Sequence, residues 1–245
     1  MTNKPSSLAA ERGEPSYVWR SGPERRLKML TDIVELDNKR VLEAGCGNGL
    51  YAYQFIERFD AKVEAFDIEE SRVREAKHFV PHAVVARGEN LPYPDRYFDV
   101  VFSNEVIEHV EDDRAFASEM VRVTRTGGRI ALFCPNRWYP VEQHGHYWRG
   151  KYHFGNTPLI NYLPDPLRNR LAPHVRTYTA RGIQHVFGDL PVRVIHHSRI
   201  FGGYDNIVQR YPTAGRAIRA VLYTAEHTPL RFLGLSHWIV FERTK

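Results

Sequence analysis

Apolar positions along this chain change their period repeatedly, and the changes mark out elements. Leu27, Leu30, Ile33 and Val34 recur at helical spacing within 24–36, and Arg40 to Ala44 then reads as a strand. The pattern next predicts a helix from Leu50 to Phe59, a strand from Lys62 to Phe66 ending at Asp67, and a helix from Glu70 to His78. A short strand from Ala83 to Ala86 precedes a loop holding Pro92 and Pro94, and Phe98 to Phe102 is a continuous apolar run of the buried parallel kind. A helix from about Asp112 to Val123 stops at Gly127-Gly128, and Ile130 to Cys134 is the next strand.

Strands alternating with helices at this rhythm predict an α/β fold, a mostly parallel sheet covered on both faces. After Pro135 the periodicity fades. Residues 136–178 are rich in Trp, Tyr, His, Pro and Arg, and a long irregular stretch of this kind in a compact domain is usually functional. Patterning returns with a helix near Thr179 to Phe187, a strand Val192 to His197, an arginine-bearing helical stretch from about Ile207 to Ala225 and a last strand, His237 to Glu242. The expected organisation is one domain over 16–245: a core at about 38–136, an insert at about 136–178 and C-terminal elements over 179–245, with 1–15 a poorly ordered tail.

Composition adds three constraints. Hydrophobic residues make up 42% of the 245, enough to bury a sizeable core. No apolar run is long enough to span a bilayer, and the two cysteines, Cys46 and Cys134, read as reduced thiols of a cytoplasmic protein. The net charge of +5 is uneven: residues 136–245 hold 15 Lys/Arg against 6 Asp/Glu, a net of +9, and residues 1–135 hold 19 against 23, a net of −4. A basic C-terminal half fits a phosphate-bearing substrate, an RNA or an acidic membrane, or simply a basic surface.

The chemistry starts at Val41-Leu42-Glu43-Ala44-Gly45-Cys46-Gly47-Asn48-Gly49, which joins a buried strand to a helix. Small residues let backbone pass close beneath a ligand, and a helix N-terminus offers free N–H groups. A dinucleotide fingerprint spaces its glycines G-x-G-x-x-G, whereas here they alternate and Leu50 occupies the third position. Glu43, two residues before the first glycine, repels phosphate and suits a cation. Asp67, 22 residues after Gly45 at the next strand end, offers two oxygens to the hydroxyls of a ribose.

These residues resemble the class I S-adenosylmethionine (SAM)-dependent methyltransferases, in the type 11 group that contains the quinone-biosynthesis enzymes. The resemblance spans roughly 38–136 and includes Glu89-Asn90-Leu91-Pro92-Tyr93-Pro94-Asp95, Phe98-Asp99-Val100-Val101, Glu108-His109-Val110 and Gly127-Gly128-Arg129. It implies a doubly wound, Rossmann-like sheet of seven strands with the last antiparallel. It also implies that Glu43, Gly45, Cys46, Gly47 and Gly49 bind the methionine part of SAM and Asp67 its ribose, with Ile68 among the cofactor-binding positions. Gly88 and Glu89 would flank the adenine, and Asn104 would lie beneath the cofactor. Arg87 departs from the pattern, standing where the family commonly places an acid; an arginine cannot accept the adenine amino hydrogen.

Glu105, Glu108 and His109 stand at i, i+3 and i+4, which puts them on one face of a helical turn where they can hold a divalent cation such as Mg²⁺. The pattern resembles metal-dependent small-RNA 2′-O-methyltransferases and some ubiquinone O-methyltransferases, with His146 expected as the fourth ligand ahead of His144. The alternative is a Glu-His pair that caps and orients a helix, leaving His109 or His146 as a general base. The aromatic insert is placed either to wall an acceptor pocket or to form an aromatic mini-core, and Tyr17, Trp19 and Arg20 to form a lid. The arginine-bearing helix is expected to pack on its own sheet rather than lie on a membrane. The leading reading is therefore O-methylation of a small-molecule or lipid-linked acceptor, ahead of RNA 2′-O-methylation and of a non-catalytic SAM-fold scaffold.

Overall fold

The computed structural model describes residues 18–245. The expected tail over 1–15 and the lid residue Tyr17 lie outside the described residues. Helix α1 (Ser21–Thr31) leads into β1 (Arg40–Ala44), α2 (Leu50–Phe59), β2 (Lys62–Asp67), α3 (Glu70–Ala76) and β3 (Ala83–Val85). Then come β4 (Phe98–Asn104), α4 (Asp113–Val123) and β5 (Thr124–Pro135). These and two later strands, β10 (Val192–Ile200) and β11 (Ser236–Arg243), form one seven-stranded sheet in the order β10-β11-β5-β4-β1-β2-β3. The pairs from β3 to β5 are parallel, and β11 runs antiparallel to both its neighbours, as the family resemblance implies.

Both faces of the central strands are buried, which is why β1, β4 and β5 read as largely apolar runs. Along β5, Ala131 and Phe133 pack with Leu27, Leu30 and Phe55 of α1 and α2 on one face. Ile130, Leu132 and Cys134 pack with Phe116 and Met120 of α4 on the other, where Ile183 of α6 (Ala180–Val186) joins them. The alternation follows from the period of two along a strand. Asp112 caps α4 by accepting from the backbone N–H of Arg114 and Ala115 at 2.9 and 3.0 Å, satisfying groups the helix leaves free.

Three expectations need correcting. Gly127-Gly128 does not merely end α4: the helix stops at Val123 and β5 already runs from Thr124. Phe98 pairs with Thr124 but Val100 pairs with Arg129, so the glycine pair lies in a bulge, with Gly127 at φ +75°.

The insert is not irregular throughout. It holds the paired strands β6 (Val141–Glu142) and β9 (Thr157–Pro158), the hairpin β7 (His146–Trp148) and β8 (Lys151–His153), and helix α5 (Asp165–Leu171). Its interior combines a buried ion pair with a small ring cluster of Tyr147, Tyr152 and His174. Arg168 and Glu142, each about 1% exposed, form a salt bridge at 3.1 Å, while Trp148 and Phe154 are more than half exposed.

Nor does the arginine-bearing helix pack on the sheet. It is two helices, α7 (Asp205–Arg210) and α8 (Pro212–Ala225), and Gly215 is the one buried residue of α8.

Candidate functional site

The chain leaves β1 through three residues in left-handed backbone: Gly45, Gly47 and Gly49 at φ +75°, +54° and +79°. A Cβ at Gly45 would lie 2.5 Å from Val106 Cγ2, so both backbone and space exclude a side chain there. The loop is held by the acid of the neighbouring strand. Asp67 Oδ2 accepts from the Gly47 N–H and Oδ1 from the Glu69 N–H, both at 2.9 Å. Each carboxylate oxygen keeps a further lone pair for a ligand.

Glu43 is 4% exposed and accepts from the Ala52 N–H at 2.8 Å, its described hydrogen bond. Burial, with Asp67 nearby, pushes its carboxyl up to about 8. Burial likewise pushes the Cys46 thiol far up, so it stays protonated and unreactive.

A cavity of about 700 Å³ opens over this loop. Glu43, Gly45, Cys46, Gly47, Asp67 and Ile68 line it, as do Gly88, Glu89, Asn104, Glu105 and His109. Of the remaining sequence-predicted residues, Gly49, Glu108 and His146 are not among those that line it. Arg87 also faces the cavity and pairs with Glu111. Glu89 is occupied in a similar way, accepting from the Glu111 N–H at 2.7 Å and holding the entry to α4. The expected lid residue Trp19 lines the cavity, edge-on to Tyr51 at 5.1 Å.

Two cavity residues had no signal in the sequence. Arg26 of α1 donates to Asn104 Oδ1 at 2.5 Å, to Glu105 Oε1 at 2.7 Å and to Ser236 at 3.0 Å. The Tyr51 hydroxyl is buried without a hydrogen-bond partner among the described residues. Arg26 comes from the helix before the glycine loop and Tyr51 from the helix after it, so only the tertiary fold brings them together.

Glu105 turns the chain after β4 in left-handed backbone at φ +55°, a conformation an L-residue adopts only when its surroundings impose it. Arg26 and Ser236 hold its carboxylate. Its carboxylate still lies beside that of Glu108, but it is not one of the three groups that converge: one ligand atom each of Glu108, His109 and His144 lies within 4.8 Å of the others. His146, the expected fourth ligand, instead bonds Thr157 at 2.9 Å and stacks on His153. It opens the β7–β8 hairpin, whose pairing with His153 turns it away.

The protons in this cluster follow from its partners. His109 Nδ1 faces the carbonyl of His174 at 3.4 Å, which assigns the ring hydrogen to Nδ1 and leaves Nε2 as an acceptor, 3.9 Å from Glu108. His144 Nδ1 faces Glu142 at 2.9 Å, which frees its Nε2 in the same way. Burial pushes His109 down to about 3, with help from His144, so it is neutral at ordinary pH. Both Glu108 oxygens are buried without a hydrogen-bond partner among the described residues. Burial and the Glu105 carboxylate push this acid well above the usual range. Glu142 in turn is held at about 2, because the His144 hydrogen bond and the Arg168 charge outweigh its burial.

In sequence and in fold the chain is similar to known proteins. Residues 42–132 match the family described as a methyltransferase domain. Over 99 residues the chain is 39% identical to a "Probable S-adenosylmethionine-dependent methyltransferase" of Mycolicibacterium smegmatis, covering 40% of this chain and 38% of that one. Over 101 residues it is 39% identical to the 27-O-demethylrifamycin SV methyltransferase of Amycolatopsis mediterranei, covering 38% and 37%. The matched region thus spans under two fifths of each of these relatives. The crystal structure of an S-adenosylmethionine-dependent methyltransferase from Mesorhizobium loti superimposes with a TM-score of 0.63 at 15% identity, over 91% of this chain and 98% of that one.

Proposed function

We propose, from the match of residues 42–132 to the methyltransferase-domain family, that this protein transfers the methyl group of SAM to a hydroxyl oxygen of a small-molecule or lipid-linked acceptor. The carrying observation is the pair of buried acids, Glu43 and Asp67, at the foot of a cavity floored by backbone. Burial beside Asp67 keeps a proton on Glu43 in the ligand-free protein, and a ligand bearing an ammonium and a sulfonium favours the ionised acid. Asp67 has lone pairs left for ribose hydroxyls. Tyr51 has a hydroxyl proton to give to the carboxylate of the methionyl end, and Arg26 sets positive charge beside it. The neighbouring backbone of Gly88 takes over the adenine contact that Arg87 cannot make.

Bound SAM supplies an electrophilic methyl group on a positively charged sulfur. The protein's part is alignment: the acceptor oxygen must face that methyl in line with the departing sulfur. On transfer a C–O bond forms, the C–S bond breaks with its electrons going to sulfur, and the hydroxyl proton must leave. In the absence of a cation, His109 Nε2 is the candidate acceptor, a weak base for as long as burial holds it down at about 3. Acceptors on oxygen are supported by the Amycolatopsis relative, whose name places its methyl on an oxygen of a small molecule.

The same cluster fits a divalent cation. Glu108, His109 and His144 would hold it, and Glu142 and the His174 carbonyl orient the two rings as outer partners of metal-bound histidines do. Such an ion would lower the pKa of an acceptor hydroxyl. Calorimetry with SAM tests the primary reading: binding with measurable heat and one site per chain is expected, and no binding overturns it. Titration with Mn²⁺ followed by electron paramagnetic resonance tests the cation. His144→Ala should weaken Mn²⁺ binding roughly 10- to 100-fold and His146→Ala should leave it unchanged.

A further inference from the structure

Strand β10 ends at Ile200 and β11 begins at its register partner Ser236. Both points lie at the end of the sheet where β1, β2 and β4 deliver their loops to the cavity. Everything between them, 201–235, is therefore an excursion at the ligand end. Its base forms part of the cavity wall through Phe201, Gly202, Gly203, Asp205 and Leu235. Helix α1 clasps its inner side: Asp205 accepts from Ser21, and Arg20 donates to Asn206 at 2.8 Å. Arg25 pairs with Glu226 and lies 3.8 Å over the Tyr223 ring.

The outer side has no such cover among the described residues. In α8, Gly215, Arg219, Leu222 and Tyr223 face inward, and Ala214, Ala217, Ile218 and Val221 form an exposed aliphatic stripe at helical spacing. Val221 is 68% exposed and Ile218 47%; Tyr211 and Leu230 extend the patch at 57% and 55%. Its charges have one sign. On this side 206–235 carry Arg210, Arg216 and Arg231, while Arg219 turns inward to Asp205 and the single acid of the range, Glu226, is neutralised by Arg25.

We propose that this face is a docking surface for an anionic lipid bilayer, with the aliphatic stripe entering the headgroup boundary and the arginines meeting lipid phosphates, so that the cavity mouth sits against the membrane. An apolar stripe bordered by arginines and free of unpaired acids has the complementarity such a surface requires. A second copy of this chain is a poor occupant, since a two-fold contact would set these arginines against their own equivalents. RNA would use the arginines but would leave the aliphatic stripe without a partner. The proposal concerns docking alone, so it stands or falls separately from SAM binding.

The test is co-sedimentation of the full chain with vesicles of phosphatidylcholine alone or mixed with phosphatidylglycerol. Roughly tenfold more protein should sediment with the anionic vesicles, and the excess should fall as salt is raised. The double variant Ile218→Glu/Val221→Glu should lose the binding, as should Arg210→Glu/Arg216→Glu, which leaves the stripe in place. Equal sedimentation with both vesicle types, or binding retained by both variants, would overturn the proposal. So would a dimer in light scattering that Val221→Glu converts to monomer, or binding of single-stranded RNA in place of vesicles. Unchanged calorimetry of both variants with SAM is expected and shows that the fold and cavity survive.

Discussion

The cavity has two walls built by different means. The wall toward β1, β2 and β3 is made of backbone: left-handed glycines, of which Gly45 has no room for a side chain, and buried carboxylates that grip amide groups. The opposite wall, from 136–178 and 201–235, is made of side chains held by ion pairs, histidine hydrogen bonds and exposed aromatics. The first suits a ligand that is the same in every turnover. The second can change its side chains without disturbing the sheet. In this fold invariance is written into main-chain geometry and adaptability into attached segments.

The sharpest way to break that comparison is to unfold one wall and leave the other. Arg168→Ala strips Glu142 of its buried partner and should cost about 3–5 kcal/mol, read as a lower denaturation midpoint, with SAM affinity retained. Lost SAM binding would show that the walls fold as one. Gly45→Ala attacks the other side. The left-handed backbone costs about 1–2 kcal/mol and displacement of Val106 adds a similar amount, so the variant should be destabilised by roughly 3 kcal/mol and lose SAM in calorimetry. Gly150, also left-handed at φ +76° but with nothing within 4 Å of an added Cβ, should cost only about 1 kcal/mol on the same change. Asp67→Ala should weaken SAM binding by about 1–3 kcal/mol, since it removes a ribose acceptor and releases the Gly47 amide.

The smallest effect is a pH dependence. The Glu43 carboxyl, at about 8 in the ligand-free protein, lies above its ordinary 4.5. Between those values the native state keeps a proton that the unfolded chain has lost, so stability of the ligand-free protein should fall as pH rises across the window. A cationic ligand favours the ionised acid. SAM affinity should therefore climb as pH rises toward 8 and level off above it, and binding at pH 7 should release a proton. Glu43→Gln should flatten both profiles, as calorimetry in buffers of different ionisation enthalpy would show.

How much of each wall was legible follows from the same contrast. The glycines, Glu43 and Asp67 are legible because the spacing of a strand, a turn and a helix fixes where they fall. The central strands of the sheet are legible because burial on both faces leaves largely apolar runs. Arg26 and Tyr51 leave no such trace, since helices on either side of the loop bring them in. The choice between His144 and His146 turns on a two-residue offset. Glu142 fixes His144 by its own hydrogen bonds, while hairpin pairing with His153 turns His146 away, and neither contact is visible as spacing. For α8 the sequence shows an amphipathic helix; only the fold shows that its exposed aliphatic stripe meets neither sheet nor helix among the described residues.

The register match between Ile200 and Ser236 has a consequence for the history of such proteins. A segment that departs and returns at paired positions of adjacent strands closes on itself, so it can be lengthened, shortened or exchanged at little entropic penalty to the remaining chain. Residues 201–235 are in that sense a cassette. Replacing them with a tight hairpin turn should leave a folded donor-binding core, and grafting them onto a relative would transfer whatever address they encode.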